Sequence, residues 1–130
     1  MSKRQLISSG PPYEPTIGFS RAVRVDNHIF VSATGPIEPD GKCAYVGDLF
    51  GQVKYCLEII ISAVEEAGGT TKDIVRTRLF IKDIDNWQNA AKAHGLFFGD
   101  IRPACSFIGS TGFLDPDFLV EIEADAYINA

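Results

Sequence analysis

Three carboxylates near the end of the chain have the clearest potential for acid–base chemistry. Glu121, Glu123 and Asp125 alternate with apolar residues, so they would share one face of a β-strand. A carboxylate that is crowded by like charges or partly buried has a raised pKa, which suits proton transfer near neutral pH. The same residues could instead form a charge ladder with Arg76 and Arg78. We expect the ladder for Glu123 and Asp125, and both interpretations stay open for Glu121.

The three cysteines, Cys43, Cys56 and Cys105, do not form a metal-binding motif. No Cys-x-x-Cys pair is present, and only His28 and His94 could complete a ligand set. Since a closed structural zinc site needs four nitrogen or sulfur ligands at short paired spacings, no metal site is predicted. The odd number of cysteines and the lack of a basic-then-apolar N-terminal signal predict free thiols in a reducing, cytoplasmic setting.

Cys105 could act as a nucleophile only with a base or a cation nearby, and His94 and Arg102 are the available partners. The alternative is that Cys105 is a small buried apolar residue. Arg102 would either satisfy the last carbonyls of a helix or anchor a substrate carboxylate. His94 shares an apolar stripe with Trp87 and Phe98, which is typical of a hydrogen-bonded core histidine.

Length and composition indicate a single domain that covers residues 1–130. The chain is 45% hydrophobic and 22% charged, which is typical of an ordinary globular protein. Its net charge of −5 argues against nucleic acid or an anionic membrane surface as a partner. No apolar run approaches the roughly 20 residues that a membrane span needs.

Hydrophobic periodicity predicts six strands and two helices. Strands are expected at residues 4–8, 22–25, 28–32, 74–82, 104–110 and 118–128, and helices at residues 48–67 and 85–98. Asp48 is the expected N-cap of the first helix, and Asp85 with Gln88 would form a capping box at the start of the second. The Gly- and Pro-rich stretch 10–15 is expected to be a loop.

The order β-ββ-α-β-α-ββ predicts an α+β fold in which both helices cover one face of a mixed six-stranded sheet. On the fourth strand, Val75, Leu79 and Ile81 would face the helices, and Phe80 would face away from them. The opposite sheet face then carries charges of both signs, and it is either a solvated surface or a subunit interface filled with paired charges. We expect an interface, because Phe80 would otherwise be exposed to water.

Four stretches of the sequence together carry a family resemblance. They are Ile29-Phe30-Val31-Ser32-Ala33-Thr34-Gly35-Pro36, Gly68-Gly69 with Asp73-Ile74-Val75, Phe80-Ile81-Lys82-Asp83, and Arg102-Pro103-Ala104 with residues 115–124. These stretches resemble the signatures of the Rid/YjgF family, the reactive-intermediate (enamine/imine) deaminases. The resemblance implies a chorismate-mutase-like fold and a homotrimer with ligand clefts between adjacent subunits. It also implies that small enamines and imines are hydrolysed to keto acids and ammonia without a cofactor.

The resemblance also assigns roles to positions of this chain. Glu121 falls on the glutamate that positions or activates water, and Ser32 falls on the strand serine, so both are the expected catalytic residues. Cys105 stands where the family has an arginine that grips the substrate carboxylate. Phe19 stands where the family has a tyrosine, and Ala91 where it has an asparagine.

The expected substrate-binding residues are Arg102, Cys105, Phe19, Phe98 and Thr34. Because the usual arginine is replaced, the alternative is a non-catalytic trimer of the same fold that binds a small molecule or a protein. Nuclease or translation-inhibitor activity is a third interpretation, which the net charge of −5 disfavours.

Overall fold

Six strands form one mixed sheet in the computed structural model, which describes residues 4–10 and 13–129. The strands are β1 (Arg4–Ile7), β2 (Ala22–Val25), β3 (His28–Thr34), β4 (Ile74–Ile81), β5 (Ala104–Gly109) and β6 (Val120–Tyr127). The helices are the short α1 (Tyr13–Ile17), α2 (Leu49–Glu66) and α3 (Trp87–Phe98), with 3-10 turns at Thr71–Asp73 and Ile84–Asn86. Among the described residues, no helix has both the length and the apolar character needed to cross a membrane.

The strands follow the order β1-β2-β3-β6-β4-β5, which places the last strand in the interior of the sheet. β4 and β5 are parallel and are joined through α3, whereas β6 is antiparallel to both β3 and β4. A parallel connection needs a long crossover, and α3 supplies it on the same side as α2. The predicted α+β fold, with α2 and α3 on one face of a mixed six-stranded sheet, is confirmed.

The core lies between this sheet and α2. Asp48 caps α2 as predicted, because its side chain accepts a hydrogen bond from the Gly51 backbone N–H at 3.1 Å. Leu57 and Ile60 on α2 are fully buried, and so is Ile122 on β6. Burial of each such side chain contributes about 1.5–3 kcal/mol to stability.

The predicted orientation of Val75 is wrong. The pairing of β4 with β6 shifts register between Ile74 and Arg76, so one extra residue is accommodated in β4. As a result Ile74 lies under the helices, while Val75 is 40% exposed. A bulge of this kind moves one residue out of the period-two alternation and leaves the residues beyond it in phase.

The predicted start of the second helix is also wrong. Asp85 lies in the 3-10 turn Ile84–Asn86, and α3 begins at Trp87 without a side-chain cap bond. The buried face of α3 contains Ala90, Ala93 and Phe98, whereas Trp87 is 45% exposed. The small alanines let α3 approach its neighbours closely, and the Trp87 ring packs instead at the margin.

The predicted loop at 10–15 is wrong in its second half, because Tyr13–Ile17 forms α1. Residues 11 and 12 lie outside the described part of the chain. The helix ends because Gly18 adopts a φ of +94°, a conformation that costs glycine little. This turn directs the chain into β2.

A fully buried amide side chain, Gln52 on α2, joins the helix to the segment that leads into β6. Its Nε2 donates hydrogen bonds to the carbonyl oxygens of Tyr45 at 3.2 Å and Asp117 at 3.1 Å. Its Oε1 accepts a hydrogen bond from the Leu119 N–H at 2.8 Å. One side chain thus satisfies three backbone groups from two loops.

Substitution of Gln52 by leucine should therefore destabilise the protein. The apolar side chain fills a similar volume but leaves these buried backbone groups without partners, so we expect a loss of about 2–4 kcal/mol in the free energy of unfolding. Urea unfolding of Gln52→Leu measures this loss. Gln88→Leu on the exposed side of α3 is the control, and an equal effect of both variants would contradict the role assigned to Gln52.

Candidate functional site

The sheet face opposite the helices carries a ladder of opposite charges. Arg78 Nη1 lies 3.0 Å from Glu123 Oε1 and 3.7 Å from Asp125 Oδ2, and Arg76 Nε lies 4.0 Å from Asp125 Oδ2. The register pairs Arg76 with Asp125 and Arg78 with Glu123. The predicted charge ladder for Glu123 and Asp125 is therefore confirmed.

Glu121 differs from the other two carboxylates because its partner across the strands is Phe80. Within the described residues its carboxylate makes no hydrogen bond and no salt bridge. Burial raises the pKa of Glu121, and the positive charge of Arg21 offsets part of that rise. A half-buried carboxylate that lacks protein partners can hold or accept a proton.

Glu121 lines a cavity of about 560 Å³. Cavities of this volume are typical of small-molecule sites. Its walls come from α1 and the turn after it, the start of β2, the end of β3 and the segment before β6. The lining residues are Tyr13, Glu14, Ile17, Phe19, Arg21, Ala33, Gly35, Ile37, Leu114, Asp115, Pro116, Phe118 and Glu121.

Arg21 is a buried cation in the wall of this cavity and is only 7% exposed. Its Nε donates to Ser9 Oγ at 3.2 Å, and its Nη1 donates to the Ala33 carbonyl at 2.9 Å and to Thr34 Oγ1 at 3.0 Å. The guanidinium carbon lies 5.4 Å from the centre of the Phe19 ring. Burial lowers the pKa of Arg21, but a guanidinium remains charged throughout the physiological range.

Glu14 on α1 balances this buried charge. It is 3% exposed, and its Oε2 accepts hydrogen bonds from Ser9 N at 3.1 Å and Ser9 Oγ at 2.6 Å. Burial alone would raise the pKa of Glu14, but the Ser9 hydrogen bonds and Arg21 outweigh it and lower that pKa. The carboxylate lies 4.0 Å from Arg21 Nε. Glu14 is therefore ionised at neutral pH and holds α1 against β2.

Gly35 allows the cavity wall to form where β3 meets the segment before β6. A Cβ atom at this position would lie 2.2 Å from the Phe118 ring. The preceding strand contains a register shift between Val31 and Thr34, which turns the end of β3 towards the cavity. No larger side chain fits at Gly35 unless the Phe118 ring moves.

The structure brings together some of the predicted site residues. Phe19 and Glu121 both line the cavity. Thr34 is buried directly behind Arg21, and its hydroxyl donates to the Ser32 carbonyl at 2.8 Å. Ser32 is not part of the lining, and its hydroxyl donates to the Ser20 carbonyl at 2.7 Å.

The other three predicted substrate-binding residues lie elsewhere in the chain, and none of them lines the cavity. Cys105 is exposed on the edge strand β5, where it pairs with Thr77. Arg102 is exposed after the end of α3 and has a φ of 57°. Phe98 is buried in the core, where its ring lies 4.7 Å from that of His94.

His94 matches the expected hydrogen-bonded core histidine. Its Nε2 lies 2.8 Å from Thr77 Oγ1, and burial lowers its pKa. Cys43 and Cys56 are structural, since burial raises the pKa of the Cys43 thiol to about 11 and that of Cys56 as well. In the part of the chain that the structure describes, no group of three or more histidine, cysteine or acidic residues could hold a metal ion.

Sequence reasoning missed Arg21 and Glu14. Arg21 directly precedes the apolar residues Ala22 and Val23, and a charged residue at that point is easily interpreted as the exposed start of a strand. Glu14 lies in the stretch that was expected to be a loop. One signal in the sequence could have found them. Glu14 and Arg21 carry opposite charges and lie close together along the chain, on either side of Gly18.

Substitution of Gly35 by alanine should force the Phe118 ring to move and should cost about 1–3 kcal/mol of stability. Gly95→Ala is the matched control, because a Cβ at Gly95 on α3 meets no atom within 4 Å. Alanine is the better helix former, so that variant should gain about 0.5–1 kcal/mol. Thermal unfolding of both variants tests the difference, and stabilisation by Gly35→Ala would refute the close packing described.

Known proteins resemble this chain over almost its whole length. The family model described as Endoribonuclease L-PSP matches residues 11–128. A RutC family protein from Pyrococcus abyssi is 32% identical over 127 residues, which cover 98% of this chain and 98% of that protein. The 3-aminoacrylate deaminase RutC from Acinetobacter baylyi is 28% identical over 128 residues, which cover 98% of this chain and 100% of that protein.

Solved structures agree with these sequence relatives. The crystal structure of a Mycobacterium tuberculosis member of the YjgF/YER057c/UK114 family superposes with a TM-score of 0.88 at 37% identity. The match covers 97% of this chain and 100% of that one. The match to the family model spans β2 to β6 and all the residues that line the cavity. The chain belongs to the Endoribonuclease L-PSP family, the YjgF/Rid family.

Proposed function

We propose that this protein hydrolyses small reactive enamines or imines to a keto acid and ammonia. The observation that carries the proposal is the state of Glu121. Glu121 is the one carboxylate of β6 that forms no ion pair within the described residues. It also lines a cavity that is large enough for a small molecule. Burial raises its pKa towards the range in which one group can both donate and accept a proton.

The proposed reaction uses one carboxyl group and one water molecule. Protonated Glu121 donates its proton to the enamine carbon and gives an iminium ion. The resulting carboxylate then takes a proton from the water that attacks the iminium carbon. The nitrogen of this adduct accepts the proton from Glu121, the carbon–nitrogen bond breaks, and ammonia leaves. The hydroxyl proton returns to Glu121 as the carbonyl forms, so the protein ends the cycle as it began.

The relatives support this class of substrate. The RutC protein of Acinetobacter baylyi is named as a 3-aminoacrylate deaminase, and it aligns with 98% of this chain. We therefore propose 3-aminoacrylate and short 2-aminoacrylates as the first substrates to assay. The cavity is lined by three carboxylates, Glu14, Asp115 and Glu121, and by one arginine, which does not favour a polyanion such as RNA.

We also propose that the protein is a homotrimer assembled through the sheet face opposite the helices. This face exposes Phe30, which is 46% exposed, together with Ile108 and Tyr127, beside the charge ladder. Apolar side chains mixed with paired charges are typical of a surface between subunits. In such an assembly Cys105 and Arg102 of one subunit could approach the cavity of the next.

A second candidate function is a binding protein of the same fold without catalysis. It is favoured by Cys105, which stands where the family has its carboxylate-gripping arginine. Phe19 also lacks the hydroxyl that a tyrosine would bring to the cavity. The variants described next separate the two candidates.

Glu121→Gln should lower the rate of ammonia release from enamines generated in situ by about 10²–10⁴-fold, because the amide cannot transfer the proton. Glu123→Gln is the matched control, since it makes the same change on the same face of the same strand. Because the proposed reaction starts from protonated Glu121, kcat/KM should fall as the pH rises through the pKa of this group. Burial raises that pKa, so the fall should lie above the pH range in which an exposed glutamate titrates.

Ammonia release must be compared among wild type, both variants and buffer. Loss of activity in Glu121→Gln alone supports the deaminase. Equal release in all four samples contradicts it for the substrates assayed and favours the binding protein. An activity loss of the same size in Glu123→Gln would assign the effect to the sheet face rather than to the cavity.

Light scattering should give a mass of about three times the 14.2 kDa chain for the wild type. Phe30→Glu places an unpaired charge in the proposed interface and should shift the protein towards monomer. Leu96→Glu is the control, because Leu96 is exposed on α3 and should leave the mass unchanged. A wild-type mass equal to that of a single chain would refute the trimer.

A further inference from the structure

We infer that Arg21 binds the carboxylate of the substrate, and of its keto-acid product, inside the cavity that contains Glu121. This inference rests on the proposed function for the identity of the ligand. The anchoring group would then come from the start of β2 and not from β5, where Cys105 stands in place of the family's arginine.

The hydrogen bonds of Arg21 leave one end of its guanidinium available. A guanidinium has five N–H donors. In the described residues, Nε and both hydrogens of Nη1 are used by Ser9, Ala33 and Thr34, and Nη2 makes no hydrogen bond. Every fully buried side-chain nitrogen and oxygen in that part of the chain has a partner. Nη2 is therefore not fully buried, and the cavity is the space that Arg21 lines.

The surroundings of Arg21 fix its position before a ligand binds. Three hydrogen bonds and the Phe19 ring hold the guanidinium, so little side-chain entropy is lost on binding. Thr34 acts as a positioning residue, since its hydroxyl accepts from Nη1 and in turn donates to a backbone carbonyl. A buried, fixed guanidinium forms strong charge-assisted hydrogen bonds to a carboxylate.

Glu14 does not occupy the available end of Arg21. Its Oε2 already accepts two hydrogen bonds from Ser9, and its ion pair with Arg21 is made to Nε, at 4.0 Å. Glu14 therefore offsets the cost of burying the arginine and leaves Nη2 unused. The pair allows a charged anchor to exist in a buried wall.

Arg21 and Glu121 line the same cavity, and they make no direct ion pair in the described residues. Each group influences the ionisation of the other. The gap can admit a small molecule with its carboxylate on Arg21 and its enamine carbon near Glu121. Arg102, by contrast, is exposed beyond α3 and does not line the cavity of its own chain.

Calorimetric titration of the whole protein with pyruvate and with pyruvamide tests the inference. The probes have similar shapes and differ at the group that would meet Arg21, which is an anionic carboxylate in pyruvate and a neutral amide in pyruvamide. We expect the wild type to bind pyruvate at least about tenfold more tightly than pyruvamide. Arg21→Lys should weaken pyruvate binding by at least about tenfold, because it keeps the charge but removes the fixed Nη2 donors. The same variant should leave pyruvamide binding unchanged.

Arg24→Lys is the matched control. Arg24 lies on the same strand and also donates to backbone carbonyls, those of Asp26 and Ala67, but it does not line the cavity. If Arg21→Lys does not fold, side-chain NMR of the wild type replaces it. Pyruvate should then shift the Nε–Hε resonance of Arg21, and pyruvamide should not.

Three outcomes overturn the inference: no pyruvate binding, equal binding of the two probes, or loss of pyruvate binding in Arg102→Lys with Arg21→Lys unaffected. Glu121→Gln separates this inference from the proposed function. It should abolish turnover and still bind pyruvate at least as tightly, because a negative charge is removed. The protein could bind pyruvate through Arg21 and yet release no ammonia. That result would support Arg21 as the carboxylate anchor and refute the proposed deaminase activity.

Discussion

The position of β6 between β3 and β4 is the constraint on which the rest of the structure depends. Both neighbours hydrogen bond to this strand, so its register cannot slip by one residue without burying charges under the helices. One face of β6 supplies Val120 and Ile122 to the core. The other face must therefore present Glu121, Glu123 and Asp125 together on the open side of the sheet.

The residues of β4 that lie opposite these three carboxylates determine which of them form ion pairs. Its two arginines, Arg76 and Arg78, pair with Asp125 and Glu123, and Phe80 lies opposite Glu121. The nearest balancing cation for that carboxylate comes from β2, across the cavity. A buried arginine needs its own partners: β3 supplies Ala33 and Thr34, and the N-terminal segment supplies Ser9 and, on α1, Glu14. The short N-terminal helix is thus part of the electrostatic design of the cavity.

The sequence predicted those features that depend on local period and capping. The alternation on β6, the charge ladder and the Asp48 cap all follow from residues near each other along the chain or from simple strand pairing. The extra residue at Val75 could not be predicted, because a bulge adds one residue without altering composition. Arg21 was missed for a related reason: its partners come from segments that meet only in the folded chain. The resemblance placed Glu121 and Phe19 in the site, whereas the core position of Phe98 reflects how α3 is rotated against the sheet.

The Gln52 side chain ties one wall of the cavity to the buried part of the protein. Phe118 lies between two residues, Asp117 and Leu119, whose backbone groups are tied to the interior of α2 through this one amide. Displacement of that wall would break hydrogen bonds to a fully buried side chain of α2, which is costly. The opposite wall is the single-turn helix α1, which is held by side-chain contacts of Glu14 rather than by a buried helix. Local opening of the cavity is therefore expected at α1 before it is expected at the wall that contains Phe118.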